Sequence, residues 1–173
     1  MIFGKKRPRP TAAARLYDAA VTQSRSPDLY AGLGAPDTVE GRFELLTLHV
    51  ILILERLRGE GPMATALSQA LFDLYCRNLD GALREMGVGD LTVSRRMKAL
   101  GGAFYGRAAA YRAAIADLPD PNELAALVGR TVMAGAATFD PRPLAAYLAQ
   151  RQSDLANGSI QALLLGVAPW PAA

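Results

Sequence analysis

The chain has 173 residues, a formal net charge of +3, 51% hydrophobic residues, one cysteine and one histidine. That length fits one domain and buries about 70% of the surface its unfolded form exposes, so neither a disulfide nor a structural metal is needed to hold it. A lone Cys76 excludes an internal disulfide, a lone His49 leaves little for a transition-metal site, and the longest apolar run, Phe43–Leu54, falls short of the roughly 20 apolar residues that span a bilayer.

Residues 1–10 hold two prolines and the cations Lys5, Lys6, Arg7 and Arg9, and read as a disordered basic arm preceding a single helical domain over 11–173. Met1–Gly4 lacks the apolar core of a signal peptide, so a cytoplasmic protein is expected. Alanine-rich stretches such as Arg107–Ala116 and Leu144–Ala149 favour helix, because alanine loses no side-chain entropy there. A first helix is predicted from about Thr11, an N-cap residue, to Gln23 or Arg25, with Leu16, Ala19 and Ala20 inward. Ser26–Thr38, with two prolines and two glycines, reads as a loop.

Residues 40–58 are apolar on nearly every side and too long for a strand, which predicts a central helix enclosed by the others. Pro62 opens the next helix, whose Leu67, Leu71, Leu74, Leu79 and Leu83 recur at helical spacing before Gly87 and Gly89 stop it. Thr92 or Ser94 caps a fourth helix through Ala116. Its Gly101-Gly102 pair, costing about 1 kcal/mol per residue relative to alanine, predicts a kink or an unusually close neighbour. A fifth helix runs from Asp120-Pro121 toward Ala134, a sixth from Asp140-Pro141 to about Asn157, and Ile160–Val167 forms a short tail. No alternating pattern suggests a sheet. The fold class is all-α: an irregular bundle of six or seven helices around the apolar helix at about 40–58.

Catalytic chemistry finds no support in the sequence. Cys76 lies beside the Leu74/Leu79 stripe and reads as an inert, buried thiol, while His49, inside the apolar helix, reads as a hydrogen-bonded core histidine. Gly87-Val88-Gly89 lacks the preceding strand and the lysine of a phosphate loop. Glu44 and Glu55 are taken as too far apart for one helical face, and Asp73, Asp80 and Glu85 spread around theirs. No catalytic, cofactor-binding or metal-binding residues are therefore assigned, and no small-molecule substrate is expected. What stands out is Met86–Arg112: a glycine turn, Asp90, then Arg95, Arg96, Lys98, Arg107 and Arg112 with no acid between them, and the aromatics Phe104, Tyr105 and Tyr111. Arginine and tyrosine in one surface region suit a binding interface, against the plainer reading of core aromatics and a solvated helix face.

Arg42-Phe43-Glu44-Leu45-Leu46 with Leu48-His49-Val50, Leu71-Phe72-Asp73, Leu83-Arg84-Glu85-Met86-Gly87-Val88-Gly89-Asp90-Leu91, Met97-Lys98 and Phe104-Tyr105-Gly106-Arg107 together resemble the ubiquinol–cytochrome c reductase assembly chaperone family. The resemblance runs from about Leu16 to Ala116 and stops before Asp120. It implies an assembly factor for the cytochrome bc1 complex of the respiratory chain, with newly made cytochrome b as client and the ribosome as a further partner. No Arg/Ser-rich presequence precedes the domain, so the chain looks more like a bacterial member, or a mature form, acting in the cytoplasm or peripherally at the cytoplasmic face of the inner membrane, where mitochondrial relatives act in the matrix. Partner-binding residues are expected at Asp90, Arg95, Arg96, Lys98, Tyr105 and Arg107, and Lys5, Lys6, Arg7 and Arg9 would touch anionic membrane. The alternative is a basic helical nucleic-acid or ribosome-binding module lying along phosphates through Thr92–Arg112.

Overall fold

The computed structural model describes residues 10–116, 118, 120–134 and 140–171; the basic arm expected at Met1–Arg9 lies outside them. Among the described residues there are helices and no strands, in the order α1 (Ala12–Ser24), α2 (Pro27–Ala31), α3 (Val39–Leu57), α4 (Pro62–Glu85), α5 (Asp90–Ala116), α6 (Asn122–Arg130), α7 (Arg142–Asn157) and α8 (Ile160–Leu164). The expected all-α bundle is therefore what forms. Two of its elements, α2 and α8, are only five residues long. The predicted loop over Ser26–Thr38 contains α2, which Pro27 starts at a first-turn position where its missing N–H is not needed.

Local chemistry sets most helix ends. The Thr11 hydroxyl accepts from the Ala14 amide at 3.2 Å, and the Thr38 hydroxyl accepts from the Gly41 amide at 3.1 Å, each satisfying one orphan donor of a first turn. Position 41 calls for glycine because a Cβ there would collide with the Pro36 carbonyl, so the loop closes directly onto α3. At the other end of the bundle, α4 stops at Glu85 and Gly87 takes φ 79°, letting the Val88 amide reach back to the Leu83 carbonyl at 3.1 Å.

Three expectations change. The fourth predicted helix starts at Asp90, ahead of Thr92 and Ser94, because the Gly89 carbonyl already accepts from the Thr92 and Val93 amides, both at 2.9 Å. Asp90 then sits where a carboxylate favours the positive end of a helix. Helix α5 continues through Gly101-Gly102, and a Cβ at either would meet nothing within 4 Å, so no neighbour exploits the missing side chains. The fifth helix ends at Arg130 and passes into a turn over 131–134, where the Val132 and Met133 side chains still bury themselves in the core.

Helix α3 is the axis of the core. Leu48, Val50, Ile51, Leu52 and Ile53 are all buried, which on a helix means that neighbours cover every side. α1, α4, α5 and α7 supply that cover. Burying a Leu or Ile side chain contributes about 1.5–3 kcal/mol, so this one helix carries a large part of the hydrophobic driving force. His49 sits within it, fully buried: its Nδ1–H donates to the Leu45 carbonyl at 2.7 Å, Nε2 lies 2.9 Å from the Tyr147 hydroxyl, and the Trp170 ring meets it edge-on at 5.6 Å. Burial, with the nearby positive Arg151, pushes the imidazole pKa down to about 4, against the opposing pull of the Leu45 carbonyl. It is a neutral core histidine that ties α3 to α7.

The packing thins sharply along α4 and α5. Beyond Tyr75, no residue of α4 is buried, and of residues 76–103 only Val93 is. Leu79, Leu83, Met97 and Leu100 are half-buried, so the two helices cover one seam between them while their other sides meet solvent. The far halves of α4 and α5 stand clear of the bundle as a two-helix finger. Gly87 and Gly89 turn at its tip.

Candidate functional site

The finger's base is where α3, α4 and α5 converge. Phe72 and Tyr75 on α4 meet Phe104 and Tyr105 on α5, with ring centroids 4.9 Å apart for Phe72–Phe104 and 5.8 Å for Phe72–Tyr105. These separations and tilted rings suit aromatic quadrupoles. Phe104 faces inward; Tyr105, one residue on, is 66% exposed, because successive helical residues point about 100° apart. The inner end is closed by polar pairs: the Tyr75 hydroxyl lies 2.7 Å from that of Thr47, and the Tyr111 hydroxyl 2.9 Å from that of Thr131. Burial pushes both phenol pKa values above the ordinary range, so each stays a protonated donor.

Two ion pairs bolt α5 to α3. Arg107 donates to both carboxylate oxygens of Glu44, one contact at 2.8 Å, and its guanidinium covers the Phe43 ring at 5.9 Å. Arg112 does the same to Glu55 at 2.7 and 2.6 Å. Both are two-pronged, the strongest geometry an arginine and a carboxylate adopt. Glu44 and Glu55 thus share a face of α3, contrary to expectation: eleven residues is close to three full turns, so the carboxylates recur in line, roughly 16 Å apart. The sequence spacing already held that information.

Between these features runs a groove of about 260 Å³, walled by Ile51, Leu54, Phe72, Tyr105 and the Glu55–Arg112 pair. A larger hollow of about 580 Å³ lies near Tyr147 and Arg151. In its wall Arg151 pairs with Asp154 at 2.8 Å and stacks on Tyr147 at 5.3 Å, while its buried Nε meets no hydrogen-bond partner among the described residues. Cys76, beside the aromatic cluster, is half-buried, and burial together with Asp73 raises its pKa, which keeps the thiol protonated and a poor nucleophile.

The six expected interface residues separate into three situations. Arg95, Arg96 and Lys98 are exposed on α5, and none forms an ion pair with a described residue. Lys98 and Tyr105 lie seven residues apart, hence on one face, with Arg95 a turn before them. Asp90 is exposed at the finger tip, held by Arg84, which also bonds Asp80. Arg107 is turned inward onto Glu44 and holds the fold together. Sequence reasoning missed Phe72 as a surface partner of Tyr105, and missed Leu91, an exposed apolar side chain of the tip. No described helix is long and apolar enough to cross a membrane.

Comparison with known proteins agrees with this architecture. A family model described as ubiquinol-cytochrome C chaperone matches residues 31–170, so the likeness begins later than Leu16 and runs well past Asp120, through α6, α7 and α8. The chain is 27% identical over 133 residues to ubiquinol-cytochrome c reductase complex assembly factor 1 of Mus musculus, covering 77% of this chain and 44% of that protein. To the Xenopus laevis protein of the same name it is 25% identical, covering 77% and 65%. The chain thus corresponds to only part of these relatives' length. A crystal structure of the Cbp3 homolog from Brucella abortus superposes with a TM-score of 0.80 at 39% identity, over 90% of this chain and 86% of that one. The chain belongs to the ubiquinol-cytochrome C chaperone family.

Proposed function

We propose that this protein is an assembly chaperone that holds a newly made subunit of the cytochrome bc1 complex, cytochrome b, before that subunit is built in, and that it does so without catalysing a reaction. The observation that carries the reading is the outer face at the base of the finger: Tyr105 exposed beside Phe72 over an apolar groove, with Lys98 and Arg95 on the same helix face and in no ion pair among the described residues. A large amphipathic ring beside cations is the composition that binding hot spots favour, since it offers apolar area at little loss of side-chain entropy. The groove takes apolar side chains of the client, and the cations take acidic groups or the carbonyl end of a client helix. Arg96 and Asp90 sit around this face toward the tip. Arg107 contributes by holding α5 in place against Glu44.

A tagged chain tests the reading in its native host after a pulse of labelled translation. Labelled cytochrome b should co-isolate with the parent protein and be lost with Arg95→Glu and Lys98→Glu together, while the helical circular-dichroism signal stays intact. Co-isolation unaffected by both charge reversals removes the face from consideration. Labelled chains without any bc1 subunit among them remove the client. Retention of ribosomal RNA, with a steep salt dependence and no client, favours the nucleic-acid-binding module instead.

A further inference from the structure

The finger tip adds, to cations it shares with the client-binding face, two exposed apolar side chains that the face does not use. Leu91 is 87% exposed and Met86 55% exposed, on either side of the Gly87–Gly89 turn, and both point away from any core. Arg95, Arg96 and Lys98 follow on α5, four to seven residues beyond Leu91, which places their backbones roughly 6–11 Å further along the helix. Among the described residues no acid pairs with any of the three, and α5 carries no acid after Asp90. Of the acids at the tip, Asp80 and Asp90 bond Arg84, with the Asp90 side chain still 85% exposed, and Glu85 is exposed beside Met86. Two exposed apolar side chains at a turn, with three cations on α5 about one headgroup layer behind, match the depth profile of a bilayer interface: apolar groups enter some 5–10 Å, and cations stay with the phosphates. Neither helix is apolar enough to span.

We propose that the tip of the α4–α5 finger is a membrane-docking element, inserting Met86 and Leu91 shallowly into an anionic phospholipid bilayer while Arg95, Arg96 and Lys98 contact the headgroups. Charge complementarity selects the occupant. A protein groove would ask for a continuous apolar stripe, whereas this tip offers two separate apolar side chains and, behind them on α5, three exposed cations that outnumber the exposed acids Glu85 and Asp90. Docking end-on keeps the base of the finger clear of the lipid, so Tyr105 and its groove remain open to a client emerging at the same surface.

The test is flotation of the full chain with phosphatidylcholine vesicles, with and without phosphatidylglycerol. The parent protein should float with the anionic vesicles and stay behind with the neutral ones. Changing Arg95, Arg96 and Lys98 together to Gln should weaken the partition about a hundredfold, near fivefold per cation. The pair Met86→Ser and Leu91→Ser should weaken it about tenfold, since each side chain is only part-inserted. Changing Lys5, Lys6, Arg7 and Arg9 to Gln should leave most of the binding in place. Met86, Leu91, Arg95, Arg96 and Lys98 are exposed, so the melting temperatures of the finger variants should hold. A Leu91→Trp variant should add blue-shifted emission on anionic vesicles over the Trp170 background. Equal flotation with neutral vesicles, finger variants that float like the parent, loss through the arm variant alone, or Leu91→Trp emission that stays at its aqueous position would each overturn the proposal. The vesicles contain no protein, so these failures leave the client reading standing, and a lost client with intact flotation does the reverse.

Discussion

Removing the Glu44–Arg107 pair should cost the fold more than removing the Glu55–Arg112 pair, although their geometries are nearly the same. Both arginines grip a carboxylate with two prongs, so the difference lies in solvent access: the Glu44 and Arg107 side chains are 10% and 26% exposed, those of Glu55 and Arg112 15% and 43%. A hydrogen bond to a charged group contributes about 1.5–3 kcal/mol net where water is excluded. Arg107 retains a quarter of its exposure and Glu44 pays for its desolvation, so the pair should show a coupling of about 2 kcal/mol. The more exposed pair should show less than about 1 kcal/mol. The assay is a double-mutant cycle by urea unfolding, with Glu44→Gln and Arg107→Met for one pair, Glu55→Gln and Arg112→Met for the other. Methionine keeps most of the stem that covers Phe43 and removes the charge. Coupling for Glu44–Arg107 below about 0.5 kcal/mol, or below that of Glu55–Arg112, would refute the assignment of Arg107 as a structural bolt. A client-binding defect in Arg107→Met at unchanged stability would return it to the interface.

His49 gives the fold a pH dependence of known sign. Its folded pKa, about 4, lies below the ordinary value of 6.5, so between those limits the unfolded chain binds the proton and the folded one does not. Stability is therefore complete above about 6.5 and falls as pH drops toward 4, by about 3 kcal/mol in total. His49→Gln should lose that part of the slope, read as the difference between the two proteins' urea midpoints across this range; parallel curves would sink it, as would an imidazole that titrates near its ordinary value by NMR. At the tip, Gly87→Ala should cost about 1 kcal/mol, since φ 79° strains any side chain and nothing else crowds the position. A thermal melt unchanged from the parent would show that the turn relaxes.

Much of the architecture was legible in the chain. Apolar residues on every side of 40–58 marked the enclosed helix, Thr11 and Pro62 marked helix starts, and Gly87 marked a stop, because these are local effects that short stretches of sequence contain. The start of α5 was misplaced because cap residues at Thr92 and Ser94 were weighed above the Gly89 carbonyl, whose bonds depend on how the turn closes. Pairings between distant segments were not legible: His49 meets Tyr147 across 98 positions, and Glu44 meets Arg107 across 63. They follow from helix packing angles that no periodicity encodes. Arg107 accordingly looked like one more surface cation. The finger could have been suspected, since Val93, Met97 and Leu100 give the first half of α5 one narrow apolar stripe, enough for a single neighbouring helix.

The most direct test of the proposed function replaces Tyr105 with a photoreactive residue in the native host and identifies what is captured by mass spectrometry. Tyr105 is 66% exposed, meeting Phe72 and Phe104 at the cluster's rim, so the replacement should leave the fold intact. The expected result is a crosslink to cytochrome b. A crosslink to cytochrome b from probes elsewhere on the surface, with none from position 105, would contradict the assigned face, and capture of no bc1 subunit from any position would contradict the function itself.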